Sequence, residues 1–308
     1  MSAAQKPRHF SRLADLSPAE HEQLYARAVL LKAERAKGTV HSTLAGRTLA
    51  LLFEKSSTRT RLSFEAGMKQ LGGEVVVLDS NGSQMGRGEP IEDTARIVSS
   101  YVDVIMLRTF GDDRMQRFCH YSRVPVINGL TDGAHPVQLL ADLMTVREEF
   151  GTLQGLRYAY VGDASSNMGR SWCEAARLFG FELTLACPQN YAPPSDEVAA
   201  SGGFVRLTRS PEEAVRGADV VSTDVWTSMG QEAETAKRLA AFQGFCVDDA
   251  LMRHAPKRSI VLHCLPAHRG EEISNDVMEG VQSRIFQQGE NRMHAQKALL
   301  EIMVNARA

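Results

Sequence analysis

The chain has 308 residues, 43% hydrophobic and 23% charged, with a net charge of −2. Such a length suits two domains better than one, and so balanced a charge supplies no field for nucleic acid or an anionic membrane. No apolar run is long enough to span a bilayer. The N-terminal stretch MSAAQKPRHFSRLADLSPAEHE lacks the apolar core of a signal peptide, and the five cysteines (Cys119, Cys173, Cys187, Cys246, Cys264) form no CxxC pair. The expectation is a cytoplasmic protein with reduced thiols and no structural zinc.

In chain order, short apolar runs alternate with helical patterns. The first half predicts strands over 48–54, 74–79, 102–108 and 124–130, with helices over 58–71, 91–100, 112–122 and 136–149. Gly151 follows the charged last turn of the fourth helix and reads as its stop, so the domain boundary is placed after residue 149. The second half repeats the rhythm, with strands over 156–162, 182–187, 204–207, 219–223 and 259–264. The closing segment 290–308 is helical in composition and is expected to return and pack on the first domain. Strands alternating with helices predict an α/β chain: two doubly wound parallel-sheet domains linked by helices, over 1–149 and 150–289. There are no repeats or low-complexity tracts.

In an open parallel sheet, ligands bind outside the carboxyl ends of the strands. The polar clusters of this chain sit there. Ser57, Thr58, Arg59 and Thr60 lie where the first strand gives way to a helix. Helix N-termini offer unpaired N–H groups and a partial positive charge, hydroxyls add donors, and a guanidinium suits phosphate oxygens. Arg108 ends the third strand, and His135-Pro136-Val137-Gln138 follows the fourth. In the second half Asp163 ends the first strand, with Ser166-Asn167 opening the next helix. Asp224 follows the strand over 219–223, and His263-Cys264-Leu265-Pro266 follows the last. Singly each has an ordinary structural use: a helix cap, a turn, a surface cation, an inert buried thiol. Their joint placement at strand ends points to a site. Gly162 is followed next by Gly169, so the G-x-G-x-x-G spacing is absent, as is G-x-x-x-x-G-K-[ST]. Neither NAD nor ATP is expected.

Together these residues resemble the aspartate/ornithine carbamoyltransferase family. The segment 53–65, FEKSSTRTRLSFE, is similar to its carbamoyl-phosphate motif, and His135-Pro136-Val137-Gln138 to its H-P-x-Q motif. Asp224-Val225-Trp226-Thr227-Ser228-Met229-Gly230 and His263-Cys264-Leu265-Pro266 resemble the ornithine branch, and Glu290-Asn291-Arg292-Met293-His294 resembles the family's C-terminal motif. The likeness runs from about residue 8 to the end.

The resemblance implies that residues 1–149 bind carbamoyl phosphate and 150–289 bind ornithine. The expected reaction moves the carbamoyl group to the δ-amine of L-ornithine, giving L-citrulline and phosphate, in arginine biosynthesis. Alternatives are a sister enzyme acting on aspartate, N-acylornithine or putrescine, a catabolic form, or a scaffold that has lost activity. The carbamoyl-phosphate residues would be Ser57, Thr58, Arg59, Thr60, Gln84, Arg108, His135, Pro136, Val137, Gln138, Cys264, Leu265 and Arg292. Among these Arg59, Arg108, His135 and Cys264 would be catalytic. Asn167, Asp224, Ser228 and Met229 would hold ornithine. A trimer or a multiple of trimers is implied, with Gln84 of the loop 81–86 reaching the neighbouring site. No metal or organic cofactor is expected. Two positions depart from the usual pattern: Ser166 stands where Asn is common, and Arg170 where an uncharged polar residue is usual. An amine of the lysine type is neutral in only roughly one molecule in two thousand at pH 7, so the site must favour the neutral form or take its proton. Loop 226–236 is expected to close over the amino acid, with carbamoyl phosphate binding first.

Overall fold

The computed structural model describes residues 6–79, 88–227 and 232–305. Gln84, Ser228 and Met229 lie outside them. In chain order the elements are α1 (Pro18–Ala36), β1 (Thr48–Phe53), α2 (Thr58–Gln70), β2 (Glu74–Asp79), α3 (Ile91–Val98), β3 (Val104–Arg108), α4 (Asp112–Tyr121), β4 (Val126–Leu130) and α5 (Pro136–Phe150). Then come β5 (Arg157–Val161), α6 (Asn167–Phe179), β6 (Glu182–Ala186), α7 (Ser195–Ala200), β7 (Val205–Thr208), α8 (Pro211–Val215) and β8 (Val220–Thr223). The rest is α9 (Thr235–Ala241), α10 (Asp249–Met252), β9 (Ile260–His263), α11 (Asn275–Met278) and α12 (Ile285–Asn305). The chain forms two compact units, Met1–Leu140 with Arg292–Ala308 and Ala141–Asn291, so α5 and α12 each pass from one to the other.

In the first unit four parallel strands take the order β2-β1-β3-β4. β3 and β4 are buried throughout, and so is β1 after Thr48, which is why they read as largely apolar runs, with buried Asn128 inside β4 donating to Ser11 O. β2 is an edge strand and only partly covered. Ala50, Leu52, Ile105, Leu107, Phe118 and Val126 share one core cluster. Each of these side chains larger than Ala50 contributes about 1.5–3 kcal/mol by leaving water. The chain runs from β1 to β2 on one side and then crosses to β3 on the other. Phe53 lies opposite both Asp79 and Arg108, so the crevice of this sheet opens beside Phe53 and Arg108.

The second unit carries five parallel strands, β7-β6-β5-β8-β9. Here the order reverses at β5 and β8, where Val161 faces Thr223, and Thr223 in turn faces His263 of β9. Both doubly wound parallel sheets match the expected α/β class.

The sequence reading passed over α1, although Ser17 accepts from the Glu20 N–H and the Glu20 side chain accepts from the Ser17 N–H, a capping box visible in Ser17-Pro18-Ala19-Glu20. α12 begins at Ile285, five residues before the expected start at 290. In its first turns the buried polar residues are Gln288, which bonds Asp142 at 2.5 Å, and Asn291, which bonds Thr145 at 2.9 Å. Further along, Glu301 takes a bidentate pair from Arg27 and a bond from Thr43. No helix among the described residues is long and apolar enough to cross a membrane.

Candidate active site

In the first unit the residues expected to bind an anion follow the carboxyl ends of β1, β3 and β4. Ser57 is extended (φ −162°, ψ 110°) and its hydroxyl caps the Thr60 N–H at 3.3 Å, which starts α2 directly after the β1 loop. Ser57 Oγ also donates to Thr60 Oγ1 at 3.0 Å. Arg292 arrives from α12 and donates through Nη2 to Thr60 Oγ1 (2.8 Å) and through Nη1 to Gln138 Oε1 (2.6 Å). One guanidinium thus joins the first turns of α2 and α5, and it is buried while doing so.

Arg108 and His135 are buried as well. His135 is held well below the ordinary imidazole range, first by burial and then by the charges of Arg292 and Arg108. These three groups therefore share one electrostatic locale, and the imidazole is neutral at pH 7. Val137 and Gln138 are buried behind it, with the Gln138 N–H closing on His135 O at 3.1 Å. Arg59 sits in the first turn of α2, part exposed, and makes no hydrogen bond or ion pair among the described residues. The helix start with its hydroxyls, and the Arg108 and Arg292 guanidiniums beside His135, make this end of the sheet electropositive.

In the second unit Asp224 is buried at the end of β8. Its Oδ1 accepts from Cys264 Sγ (3.0 Å) and from the Val225 N–H (2.8 Å). Burial raises its pKa, opposed by His263 and by those two donors. Cys264 is presented on a tightly held turn. His263 accepts from the Leu265 N–H at Nδ1 (2.8 Å), so its proton sits on Nε2 and donates to Glu272 (2.9 Å), which also accepts from the His268 N–H. Leu265 takes φ 57°, in the left-handed region that side chains avoid at about 1–2 kcal/mol. Asp224, His263 and Cys264 offer ligand atoms within 4.8 Å of one another. Both ring nitrogens of His263 are already engaged, so the trio is poorly suited to a metal.

Asn167 opens α6 behind a Ser166 cap whose hydroxyl accepts from the Gly169 N–H. A side chain at Gly169 would lie 2.3 Å from Ala164 O, so glycine is required for this close approach. Arg170 is held by Glu197 of α7 through Nε at 2.9 and 3.0 Å, which neutralises the unusual cation noted in the sequence. Where loop 226–236 was expected, a 3-10 turn (Glu232–Glu234) and the start of α9 stand.

Arg238, which the sequence reading missed, pairs with Asp163 at 2.7 Å and donates to Trp226 O at 2.9 Å. It also lies over the Tyr191 ring. Its i,i+4 spacing from Glu234 was the available signal. Glu54, Arg114 and Glu272 were missed too, and Glu54 was findable as a carboxylate set directly after an apolar strand.

Comparison with known proteins matches residues 8–148 to the aspartate/ornithine carbamoyltransferase carbamoyl-P binding domain and residues 154–303 to its Asp/Orn binding domain. The chain belongs to the aspartate/ornithine carbamoyltransferase family. It is 53% identical over 301 residues to an ornithine carbamoyltransferase of Pelobacter propionicus, covering 96% of this chain and 98% of that one. Among solved structures, ornithine carbamoyltransferase from Burkholderia thailandensis superposes with a TM-score of 0.90 at 45% identity, over 98% of this chain and 100% of the other. The enzyme from Pyrococcus furiosus gives 0.90 at 42%, over 97% of each chain. An anabolic ornithine carbamoyltransferase from Campylobacter jejuni gives 0.89 at 39%, over 97% and 99%.

Proposed function

We propose that this chain is an ornithine carbamoyltransferase, moving the carbamoyl group of carbamoyl phosphate to the δ-amine of L-ornithine. The observation that carries the reading is the neutral, buried His135 set among Arg108, Arg292 and the hydroxyl-rich start of α2. The phosphate dianion would lie at that helix start, held by Ser57, Thr58, Arg59, Thr60 and Arg108. The neutral imidazole, Thr60 and Arg108 would donate to the carbonyl oxygen, which gains charge as the carbon becomes tetrahedral. One such aimed donor is worth about 3–4 kcal/mol. Gln138, whose carbonyl oxygen is taken by Arg292, would be oriented toward the carbamoyl group. Pro136, Val137 and Leu265 would shape its surroundings.

The neutral δ-amine attacks the carbamoyl carbon, the carbon–oxygen bond to phosphate breaks, and the amine proton passes to the departing phosphate. Asp224, bearing the Cys264 thiol, and Asn167 supply polar groups for the ammonium and carboxylate of the amino acid, with Ser228 and Met229. Positioning and electrostatics suffice for this transfer without a metal or organic cofactor.

We further propose a cytoplasmic, biosynthetic enzyme and a homotrimer in which Gln84 completes a neighbour's site. β2 is an edge strand whose Val76 is 46% exposed, and Leu62 of α2 is 61% exposed. The test is citrulline formation with carbamoyl phosphate and a panel of ornithine, N-acetylornithine, putrescine and aspartate. Turnover confined to ornithine supports the reading. Preference for another amine, or no turnover, overturns it.

A further inference from the structure

Glu54 follows β1 and opens the loop that ends at Ser57. Its carboxylate is 7% exposed, yet it lies three residues from the proposed phosphate-binding hydroxyl. A buried carboxylate at that spot would repel a dianion. Arg114 of α4 meets it bidentately, with Nε at 2.8 Å from Oε2 and Nη2 at 2.5 Å from Oε1, and the Thr109 hydroxyl donates to it as well. The Glu54 backbone N–H donates to Arg108 O at 2.9 Å. The same residue therefore ties the β1 loop to Arg108 and Thr109 by main chain and side chain together. Beside it, Lys55 pairs with Asp132 and lies 4.6 Å over the Phe110 ring, joining the loop that leads to His135.

We propose that Arg114 is a positioning residue for carbamoyl phosphate: paired with Glu54, it cancels a negative charge that would otherwise bear on the dianion, while the Glu54 N–H and the Thr109 hydroxyl hold the loop to Arg108 and Thr109. Arg114 acts through Glu54 and does not touch the substrate. The inference rests on the proposed reaction, and its test reads phosphate binding separately from turnover.

The experiment compares wild type, Arg114→Met, Glu54→Gln and the double variant, by calorimetric titration with inorganic phosphate and by citrulline kinetics. Arg114→Met is expected to weaken phosphate binding and raise the KM for carbamoyl phosphate about tenfold, with kcat within about threefold, as expected for a lost ground-state contribution. The double variant is expected to return within about threefold of wild type, because removing both charges leaves no uncompensated carboxylate. Glu54→Gln alone is expected to bind phosphate at least as well as wild type. An Arg114→Met enzyme with unchanged KM, or a double variant no better than it, overturns the proposal. Should Arg114→Met fail to fold, the Glu54→Gln titration decides, and a tenfold loss of phosphate affinity there overturns it. Wild type that binds phosphate but forms no citrulline would sink the reaction assignment and leave the phosphate titrations to judge the brace.

Discussion

His135 shows how burial sets chemistry at a single residue. An imidazole ordinarily titrates near 6.5, and here desolvation aided by Arg292 and Arg108 drives its pKa well down. Between that folded value and 6.5 the unfolded chain binds the extra proton, so stability falls as pH drops below about 6.5 and the contribution is fully present above it. His135→Gln should remove this part, giving a smaller fall in Tm between pH 7 and pH 5 than wild type, read by calorimetry. Equal falls would contradict the neutral imidazole. Arg59 is the converse case: a part-exposed cation with no ion-pair partner among the described residues. Arg59→Ala should therefore lower kcat/KM for carbamoyl phosphate by roughly a hundred- to a thousandfold while leaving Tm nearly unchanged. Unaltered turnover would favour the scaffold alternative.

At the scale of elements, the decisive piece is α12, which delivers Arg292 to the starts of α2 and α5. Removing that guanidinium takes one charged hydrogen bond from each of the Thr60 and Gln138 side-chain oxygens, each bond worth about 1.5–3 kcal/mol. Arg292→Met should lower the denaturation midpoint and weaken carbamoyl-phosphate use together. A variant that loses activity at full stability would show that the two bonds contribute little to folding. The loops at the carboxyl ends of β1, β3 and β4 are cross-braced by Glu54, Lys55 and Asp112, with Thr131 donating to Asp112. Such braces matter because small displacements of positioned groups cost much of the gain from orientation.

For the whole molecule, the trimer proposal makes a direct prediction. The chain has a mass of 33.9 kDa, so light scattering should give about 102 kDa for three copies, or a multiple of it. A species at the single-chain mass with full activity would overturn the shared site.

The order of the strands, the parallel sheets and the placement of the candidate residues at strand ends were legible in the sequence, while α1 and the short helices α7 to α11 were not. Buried parallel strands such as 104–108 read as largely apolar runs, and the polar residue that closes this one, Arg108, falls at the strand end, where ligands bind. The motif order then named the family. What the sequence withheld were pairings between distant residues. Arg114 with Glu54, Arg238 with Asp163 and Glu272 with His263 lie 60, 75 and 9 positions apart and leave no periodicity behind. The start of α12 at Ile285 depends likewise on distant partners, with Gln288 bonding Asp142 and Asn291 bonding Thr145. Local pattern reports which face of an element meets water; only the folded chain decides which buried charge meets which, because that depends on where the sheets carry residues far apart in sequence.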